Sequence, residues 1–550
     1  MIQTTRPNIL LITCDQLRSD YIGANGNPFI RTPNIDRLAR EGCNYRQAYS
    51  PNPVCVAARH NLLTGLTARY HGFDDNYFGR NAKPVPYYLP VFPQILSDHG
   101  YETAAIGKMH FQPRRRANGF DFLYSMEEIP FTRESDDYAM YLKEKGYGRV
   151  QSIHGVRGCL YMQPQRSLIP ETLHGSAWVA DRTIQYLEET RGRKPFLLWA
   201  SFIEPHPPFD VPERWADLYR GKIPPPKRGK TPLSRIGEEN KKLACLETPE
   251  EINRMRELYA SAISFADYQI GRILEAIERL GLFKNTMVVF TSDHGEMLGD
   301  LGTFQKFLPY DASCKIPMVI RFPGVIEAGS QEYGFADLND LLPTFLDAAR
   351  ISYPGKYNLP GESLLRISSG NKDRSIQYTE HQRQNKRWCC MRNKRYKYIH
   401  YYGDEDQFFD LDRDEDETEN ILLRPLTQSE LEMRDILRSH LINYEKRFGL
   451  EGYIVNGDFK EFEPYEPRPE YETNIPRFRE MIVDEGEARE LQDYMQEVLQ
   501  AIAEEPVVDL RRNHTAEILR QTGKYQEEEI DKLLEAASRQ RKATKEKRRE

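Results

Sequence analysis

The sequence predicts an α/β protein with a large, mostly parallel sheet sandwiched by helices, followed by a smaller antiparallel-sheet domain. Over residues 1–374, short apolar runs alternate with amphipathic stretches of helical periodicity. Strands that alternate with helices are typical of a doubly wound sheet. From residue 375 the apolar runs are separated by polar turns, which indicates an antiparallel sheet. With 39% hydrophobic residues, the 550-residue chain has enough apolar side chains for a sizeable core.

Five apolar runs are the candidate strands of the large sheet. Several are rich in Val, Ile and Phe and lack a clean alternation of polar and apolar residues, as expected for strands buried on both faces. In chain order they are residues 9–13, 103–106, 196–202, 287–291 and 318–322.

Helices are predicted between these strands. Residues 251–280 carry Ile and Leu mostly at three- and four-residue steps, and Gly281 follows as a candidate C-cap. Residues 92–98 begin with an early proline and are followed by a glycine, the asymmetry expected of a helix. The Pro-rich residues 205–230 are predicted to form a long surface loop.

We expect three regions along the chain: residues 1–374, 375–448 and 449–550. The first is the large α/β domain, and the second is a small α+β domain. The third is an extension of unknown role that is partly helical and ends in a charge run at residues 539–550, interpreted as a solvated helix end. The strands and helix expected in the second region cover residues 375–380, 388–392, 396–402, 407–411 and 431–448.

Composition argues against several classes of protein. Lys and Arg number 76 against 83 Asp and Glu, a net charge of -7, which does not suggest an electrostatic nucleic-acid binder. No apolar run is long enough for a membrane span, and the N-terminus has no targeting pattern. The eight cysteines are scattered without a CxxC pair, which favours reduced thiols in a cytoplasmic protein.

Reactive side chains follow four of the predicted strands at the point where each strand ends. Because sites in an open parallel sheet lie at the carboxyl ends of strands, these side chains are expected to meet at one edge. A single Asp after a strand is more often a helix N-cap, so the coincidence at four strands carries the prediction. The side chains are Asp15, Gln16, Lys108, His110, Glu204, His206, Asp293 and His294.

Part of this set is suited to a hard metal ion. Asp15, Gln16 and Asp293 offer oxygen ligands, which favour Ca²⁺ or Mg²⁺ over a softer metal. His294 either binds the metal or contacts a substrate oxygen. Zinc is a weaker expectation because no cysteine cluster accompanies these residues.

Residues 55–65 are a second candidate site. Cys55 precedes a short predicted helix that ends near Thr64, with Gly65 after it. A helix N-terminus lowers the pKa of a thiol and stabilises an anion, and Arg59 lies one turn further along. The alternative is that Cys55 is a small buried hydrophobic residue and Arg59 a surface residue.

Seven motifs in order make the chain resemble the formylglycine-dependent type I sulfatases of the alkaline phosphatase superfamily. Asp15-Gln16 resembles the opening metal motif of that family, and residues 55–65 resemble the signature in which a Cys is oxidised to formylglycine. The remaining motifs are residues 32–42, 107–110, 205–209, 292–296 with Lys306, and 408–412 with Glu419-Asn420. The resemblance covers roughly residues 8–425 and implies an alkaline phosphatase-like fold.

Two positions depart from the family's pattern. Ala57 stands where the signature usually has Pro. Oxygen-dependent maturation enzymes are thought to require Pro, whereas the radical enzymes of anaerobic bacteria also accept Ala, so the resemblance implies an anaerobic-type maturation enzyme as a partner. Gln16 replaces an Asp and reduces the negative charge of the metal site by one.

The resemblance implies a sulfatase that hydrolyses a sulfate ester to an alcohol and inorganic sulfate, using formylglycine (3-oxoalanine) at residue 55 and a divalent metal. Ca²⁺ is the expected ion, with Mg²⁺ or Mn²⁺ as alternatives. A hydroxyl of the hydrated aldehyde attacks sulfur, cations neutralise the sulfate oxygens, and one histidine protonates the leaving alkoxide while another takes a proton as sulfate leaves.

The resemblance assigns these roles to particular residues. The implied metal ligands are Asp15, Gln16, Cys55, Asp293 and His294. The implied sulfate-binding cations are Arg59, Lys108 and Lys306. His206 is the expected general acid and His110 the expected base, and the two roles are exchangeable. Asn76 is expected in a loop that borders the substrate pocket.

Two other functions stay open on the sequence. One is a phosphonate or phosphate-ester hydrolase with the same aldehyde, against which Lys108 and His110 argue because such enzymes tend to replace them. The other is a non-catalytic protein that binds sulfated glycans. The expected substrate is a sulfated carbohydrate or an aryl sulfate, with no nucleic-acid or membrane partner. Residues 449–550 are expected to cover the pocket or to contact another copy in a homo-oligomer.

Overall fold

The computed structural model describes residues 6–76, 83–130, 132–148, 150, 152–155, 161–190, 193–244, 246, 248–367, 374–467, 526, 528–532 and 535. Within these residues one large mixed sheet lies between helices, and a separate antiparallel sheet follows in the C-terminal region. The predicted fold class is therefore confirmed.

The strands and helices are numbered here in chain order. The strands are β1 (Asn8–Cys14), β2 (Cys43–Tyr49), β3 (Glu102–Gly107), β4 (Phe122–Ser125), β5 (Gln165–Arg166), β6 (Phe196–Phe202), β7 (Asp210–Val211), β8 (Thr286–Ser292), β9 (Met318–Arg321), β10 (Ser330–Asp337), β11 (Gln377–His381), β12 (Trp388–Arg392), β13 (Tyr396–Tyr401), β14 (Gln407–Asp410), β15 (Ile454–Val455) and β16 (Asp458–Phe459). The helices are α1 (Pro33–Glu41), α2 (Cys55–Thr64), α3 (Ala68–His71), α4 (Phe92–Asp98), α5 (Asp137–Leu142), α6 (Gly175–Thr190), α7 (Glu213–Ala216), α8 (Arg235–Asn240), α9 (Pro249–Arg279), α10 (Asp311–Cys314), α11 (Leu341–Ala349), α12 (Leu364–Ile367) and α13 (Gln428–Phe448).

The large sheet places the ends of its central strands side by side. In the described part of the chain its order is β10-β2-β9-β8-β1-β6-β3-β4, and β9 alone runs antiparallel to its neighbours. Cys14, the last residue of β1, pairs with Phe202 of β6 and Ser292 of β8. Gly107 of β3 pairs with Ser201. The segments that follow these four strands therefore start at the same edge.

Successive residues of β1 point to opposite faces of the sheet. Leu10 and Ile12 lie in a core shared with α1, α6 and α9. Ile9 and Leu11 lie in a core shared with α2, α4 and α11. All four side chains are fully buried. Both faces of the strand are covered by helices, which explains why its sequence shows no polar alternation.

The second sheet has the antiparallel order β11-β12-β13-β14. On one face Cys389 and Met391 pack in a core with Leu437 of α13. On the other face Trp388 shares a core with Tyr310 of the large domain. The small sheet therefore lies between α13 and the large domain, and the boundaries at residues 374 and 448 stay a prediction.

The five predicted strands are confirmed within one residue at each end. Strands β2, β4 and β10 were missed. In β2 the polar side chain of Asn44 is buried because it donates to Ala24 O at 3.2 Å. β4 and β10 form the two edges of the sheet, where polar residues also occur, so neither carries a long apolar run.

The prediction of one long surface loop at residues 205–230 is wrong in its first half. That half contains β7 and α7, and Phe209 and Tyr219 are buried. Phe209 packs edge-on against Tyr259 of α9, with ring centroids 5.8 Å apart, which explains the burial. Residues 224–230 are mostly exposed, as predicted.

The predicted C-terminal extension falls largely on residues that are not described. Residues 528–532 are helical and Ile530 is buried, and the charge run at residues 539–550 lies outside the described residues. Among the helices that the structure describes, none combines the length and the apolar character needed to cross a membrane.

Candidate active site

Cys55 lies in the first turn of α2, where polar residues from several strand ends converge. The residue is fully buried. Its Sγ lies 3.1 Å from His294 Nε2 and accepts a hydrogen bond of 3.1 Å from Lys306 Nζ. Asp15 Oδ1 is 3.7 Å from the same sulfur. Helix α2 ends at Thr64 and Gly65 follows it as the C-cap, as predicted, where a φ of 66° favours glycine.

Arg59 lies one turn after Cys55 and holds two carboxylates. Its Nε donates to Asp293 Oδ2 at 2.8 Å, and one terminal nitrogen lies 3.4 Å from Asp15 Oδ2. The other terminal nitrogen donates to the carbonyl oxygen of Lys108 at 2.5 Å. The alternative of a surface arginine is wrong, because the guanidinium is 1% exposed and its charge is balanced by buried carboxylates.

Four of the predicted metal ligands come together. One donor atom from each lies within 4.8 Å of the others; the residues are Asp15, Cys55, Asp293 and His294. Burial favours a raised pKa for Asp15, but nearby charges including Lys108 hold that pKa at about 2. Asp293 is likewise held well below its ordinary pKa, against burial, by His294 and Arg59. Burial lowers the pKa of His294 to about 4. The cluster thus presents two carboxylates and a neutral imidazole near pH 7.

Gln16, the fifth predicted ligand, is held beside this cluster. Its backbone has a φ of 66° and its N–H donates to Asp293 Oδ1 at 3.0 Å. Its side-chain Oε1 accepts a hydrogen bond of 2.7 Å from Lys306 Nζ, while Nε2 donates to Glu296. Glu296 is buried, and burial raises its pKa. The amide oxygen therefore faces the site, and its role as a metal ligand stays a prediction.

Lys108 is paired with a carboxylate that sequence reasoning missed. Its Nζ forms ion pairs with Asp15 and with Glu128, the latter at 2.6 Å. Burial favours a lower pKa for Lys108, but these carboxylates raise it above the ordinary value. Glu128 follows β4 just as the predicted residues follow their strands. The signal was hidden because β4 is a four-residue edge strand without a buried apolar run.

His206 is oriented by its neighbours on both ring nitrogens. Its Nδ1 lies 2.6 Å from Pro207 O, and since a carbonyl only accepts, the proton is on Nδ1 in the neutral ring. Its Nε2 lies 3.1 Å from Lys306 Nζ, 3.2 Å from Tyr161 Oη and 3.5 Å from Glu128 Oε2. Burial lowers the pKa of His206 well below its ordinary value.

His110 and Glu204 have different surroundings. His110 is buried with a φ of 54°, and its backbone N–H donates to Glu127 Oε1 at 3.0 Å. Burial and the Lys108 charge lower its pKa well below the ordinary value. Glu204, which also follows a strand, accepts a hydrogen bond from Ser176 and lies 3.5 Å from His174 Nδ1. Among the described residues, Glu204 belongs to no cluster whose donor atoms lie close enough together to hold a metal ion.

Asn76 contacts the start of α2. Its Oδ1 accepts a hydrogen bond of 3.0 Å from the backbone N–H of Val56. The N-cap residue of this helix is Val54, whose side chain provides no capping bond. Asn76 therefore satisfies a donor of the first helical turn from a separate loop. A contact between Asn76 and substrate stays a prediction.

The expectation that the helix N-terminus lowers the pKa of the Cys55 thiol is wrong. Burial and the Asp15 charge raise the pKa of Cys55 to about 12, against the opposing charges of Lys306 and Lys108. The thiol is thus protonated at neutral pH and is a weak nucleophile. The described cysteines are buried and free: Cys14, Cys43, Cys55, Cys314, Cys389 and Cys390. Cys159 and Cys245 lie outside the described residues.

Known proteins resemble this chain over most of its length. The sulfatase family model matches residues 7–351, and that of the N-sulphoglucosamine sulphohydrolase C-terminal region matches residues 299–446. An arylsulfatase of Clostridium perfringens is 33% identical over 485 residues, covering 82% of this chain and 98% of the relative. An N-acetylglucosamine-6-O-sulfatase of Bacteroides thetaiotaomicron is 26% identical over 492 residues, covering 76% and 83%.

A solved structure shows the same fold. The phosphonate monoester hydrolase of Agrobacterium radiobacter aligns with a TM-score of 0.69 and 23% identity, over 84% of this chain and 100% of that chain.

Proposed function

The chain belongs to the sulfatase family and is a sulfuric ester hydrolase, and from this premise we propose how its buried side chains act. The proposal is hydrolysis through formylglycine made from Cys55, with a divalent metal held beside it. The observation that carries the proposal is the position of Cys55, whose sulfur contacts a lysine and two candidate metal ligands at once.

An unmodified thiol at position 55 would be a weak nucleophile. With a pKa of about 12, Cys55 is protonated at neutral pH and cannot serve as an efficient nucleophile itself. Conversion removes two electrons from the side-chain carbon and replaces sulfur with oxygen, which requires a maturation enzyme. Ala57 favours a maturation enzyme of the anaerobic type.

The donor set fits a hard divalent cation. Asp15 and Asp293 are ionised, because nearby cations hold their pKa values low, and His294 is neutral. We propose that these three residues, the Gln16 amide oxygen and residue 55 hold Ca²⁺, with Mg²⁺ or Mn²⁺ as alternatives. Hydrated formylglycine supplies a hydroxyl nucleophile, and the metal supplies Lewis acidity.

The cations differ in how far their charge is already balanced. Arg59 and Lys108 are each paired with buried carboxylates. Lys306 contacts an amide oxygen, a sulfur and an imidazole, and no carboxylate in the described part of the chain forms an ion pair with it. We therefore propose Lys306 as the main contact to a sulfate oxygen, with Arg59 and Lys108 completing the positive pocket.

The geometry favours Nε2 of His206 as the atom that delivers a proton to the leaving alkoxide. Because Nδ1 donates its proton to Pro207 O, Nε2 carries no proton in the neutral ring and must receive one before it can act as the acid. The ammonium group of Lys306 is the proposed source of that proton. The Nε2 atom is 3.1 Å from Lys306 Nζ, which in turn contacts Cys55. His110 is proposed as the base that takes up a proton when sulfate leaves.

The proposed substrate is a sulfated carbohydrate or an aryl sulfate, since relatives named for both classes resemble the chain. Asn76 is proposed to border the pocket. A cytoplasmic location and an oligomer contact through residues 449–550 stay predictions.

Activity on two model esters tests the function. We expect the purified, matured enzyme to hydrolyse 4-nitrophenyl sulfate faster than a 4-nitrophenyl phosphonate monoester, and Cys55→Ala to abolish hydrolysis of both. A preference for the phosphonate would favour the related phosphonate hydrolase function. Full activity in Cys55→Ala would contradict the role of residue 55.

A further inference from the structure

Glu128 lies among the cations of the pocket and has no part in the roles proposed above. We propose that Glu128 is a specificity-determining residue: its charge limits the positive charge of the pocket and so favours monoanionic sulfate esters over dianionic phosphate monoesters. The inference rests on the proposed function, because it concerns the pocket around residue 55.

The position of Glu128 places its charge close to the reaction centre. Its side chain is 7% exposed, and its Oε2 lies 2.6 Å from Lys108 Nζ and 3.5 Å from His206 Nε2. Lys108 also pairs with Asp15, whose carboxylate contacts Cys55. Glu128 is thus linked to the reaction centre through both a lysine and a histidine.

Six charged side chains of the pocket carry the argument, leaving aside the proposed metal ion and Glu296, whose pKa is raised by burial. The cations are Arg59, Lys108 and Lys306, and the carboxylates are Asp15, Asp293 and Glu128. The two histidines His110 and His206 are neutral near pH 7, because burial lowers their pKa values. Among the described residues, loss of the Glu128 charge would leave Lys108 paired only with Asp15, which Arg59 also contacts, and would make the net charge of the pocket more positive by one.

Sulfate and phosphate monoesters differ by one charge at slightly alkaline pH. A sulfate monoester carries one negative charge, whereas a phosphate monoester carries almost two above its second pKa of about 6. Charges interact more strongly in a buried pocket than in water. The fixed negative charge of Glu128 beside Lys108 therefore repels a dianionic phosphate ester more strongly than a monoanionic sulfate ester.

The neighbouring residue provides a matched control. Glu127 is also buried, but its Oε1 accepts hydrogen bonds from the backbone N–H groups of Met109 and His110, at 3.3 and 3.0 Å. Its backbone N–H donates to Asp136 Oδ2 at 2.6 Å. Glu127→Gln also removes one negative charge from the segment that follows β4. The Glu127 side chain accepts hydrogen bonds from backbone N–H groups, whereas that of Glu128 forms an ion pair with Lys108.

Binding to protein without the nucleophile tests the proposal independently of turnover. In a Cys55→Ala background at pH 8, calorimetry gives the dissociation constants of phenyl phosphate and phenyl sulfate. We expect Glu128→Gln to increase the preference for phosphate over sulfate by at least about tenfold. Glu128→Asp keeps the charge, and Glu127→Gln keeps Glu128, so both should retain a ratio close to the background value. An unchanged ratio in Glu128→Gln would overturn the inference.

Turnover of the matured enzyme is the second readout. The ratio of kcat/KM for 4-nitrophenyl phosphate to that for 4-nitrophenyl sulfate should rise in Glu128→Gln. An equal fall in both values would mean that Glu128 only maintains the structure, and would also overturn the inference. If the binding ratio shifts while the native enzyme hydrolyses neither ester, the proposed function fails and the role of Glu128 in charge selection stands.

Discussion

Lys306 shows how one side chain connects the candidate metal site with the candidate acid. Its Nζ contacts Gln16 Oε1 at 2.7 Å and both Cys55 Sγ and His206 Nε2 at 3.1 Å. Burial favours a lower pKa for Lys306, but the Cys55 and Asp15 groups raise it, so the residue carries a positive charge at neutral pH. A sulfate oxygen bound next to residue 55 would therefore lie close to the positively charged Nζ of Lys306.

Removing that charge should impair the chemical step. We expect Lys306→Met, which keeps most of the side-chain volume, to lower kcat/KM for a sulfate ester by about 10²–10³-fold. Steady-state kinetics on 4-nitrophenyl sulfate measures the change, and Lys284→Met on the exposed surface is the control. Activity of Lys306→Met equal to that of the control would contradict the assigned role.

Some residues of the site could be predicted from the sequence and others could not. Asp15, Cys55, Asp293 and His294 could be predicted because each follows a strand or begins a helix within a recognisable motif, and the structure brings them together. Glu128 could not be predicted, because its strand is a short edge strand. The pKa of Cys55 also differed from expectation, since burial and a carboxylate outweigh the helix N-terminus.

At the scale of elements, α2 determines where residue 55 lies. Its residues are all buried, and its start is secured by Asn76 from a different loop. The apolar strands around it were predictable because helices cover both faces. Strand β2 was not, because the polar side chain of Asn44 is satisfied by a backbone carbonyl of a distant loop.

Loss of the Asn76 side chain should weaken this helix start. Asn76→Ala is expected to lower the free energy of unfolding by about 1 kcal/mol, because the N–H of Val56 loses its acceptor. Asn76→Asp keeps an acceptor oxygen and should retain most of the stability. Denaturant unfolding measures both variants. An unchanged stability in Asn76→Ala, with a raised KM, would indicate that Asn76 acts only by contacting substrate.

Helix α2 should also make stability depend on pH. Burial, with a contribution from Arg59, lowers the pKa of His60 to about 4, and its Nδ1 lies 2.6 Å from Val56 O. In the unfolded chain the pKa is about 6.5, so the unfolded state binds more protons and stability falls as pH drops from 6.5 towards 4.

The size of the His60 effect can be measured by comparing two chains. Between pH 7.5 and 5.5, this residue should account for a loss of about 1 kcal/mol in the free energy of unfolding. Denaturant unfolding at both pH values measures the comparison. Between them, the free energy of unfolding of His60→Gln should fall by about 1 kcal/mol less than that of the unaltered chain. An identical pH dependence in the two chains would contradict a neutral, buried His60.

At the scale of the whole molecule, a partly buried carboxylate joins the large domain to two buried cations of the small sheet. Asp311 of α10 pairs with Arg392 at 2.7 Å and with Lys397 at 2.9 Å, both from the small sheet. These charges hold the pKa of Asp311 far below its ordinary value, against the effect of burial. Both sheets were predictable as separate patterns, whereas this contact between distant segments was not.

Breaking this connection should destabilise the protein. Asp311→Asn leaves two buried cations with less compensation, and we expect a loss of about 3 kcal/mol in the free energy of unfolding. The control is Asp416→Asn, which removes an exposed pair with Lys227 and should cost less than about 1 kcal/mol. Equal effects in denaturant unfolding would contradict a structural role for the buried cluster.

The central claim is that Cys55 is the precursor of the catalytic aldehyde. The most direct measurement is the mass of the tryptic peptide of residues 47–59, in which Cys55 is the only cysteine, from protein made in its native host or with an anaerobic maturation enzyme. We predict the mass of the aldehyde, in which oxygen replaces sulfur and two hydrogens are lost. The hydrate of the aldehyde has the same nominal mass as the thiol peptide, and it is distinguished because iodoacetamide alkylates a thiol and not the hydrate. An intact thiol in protein that hydrolyses sulfate esters at its full rate would contradict the claim.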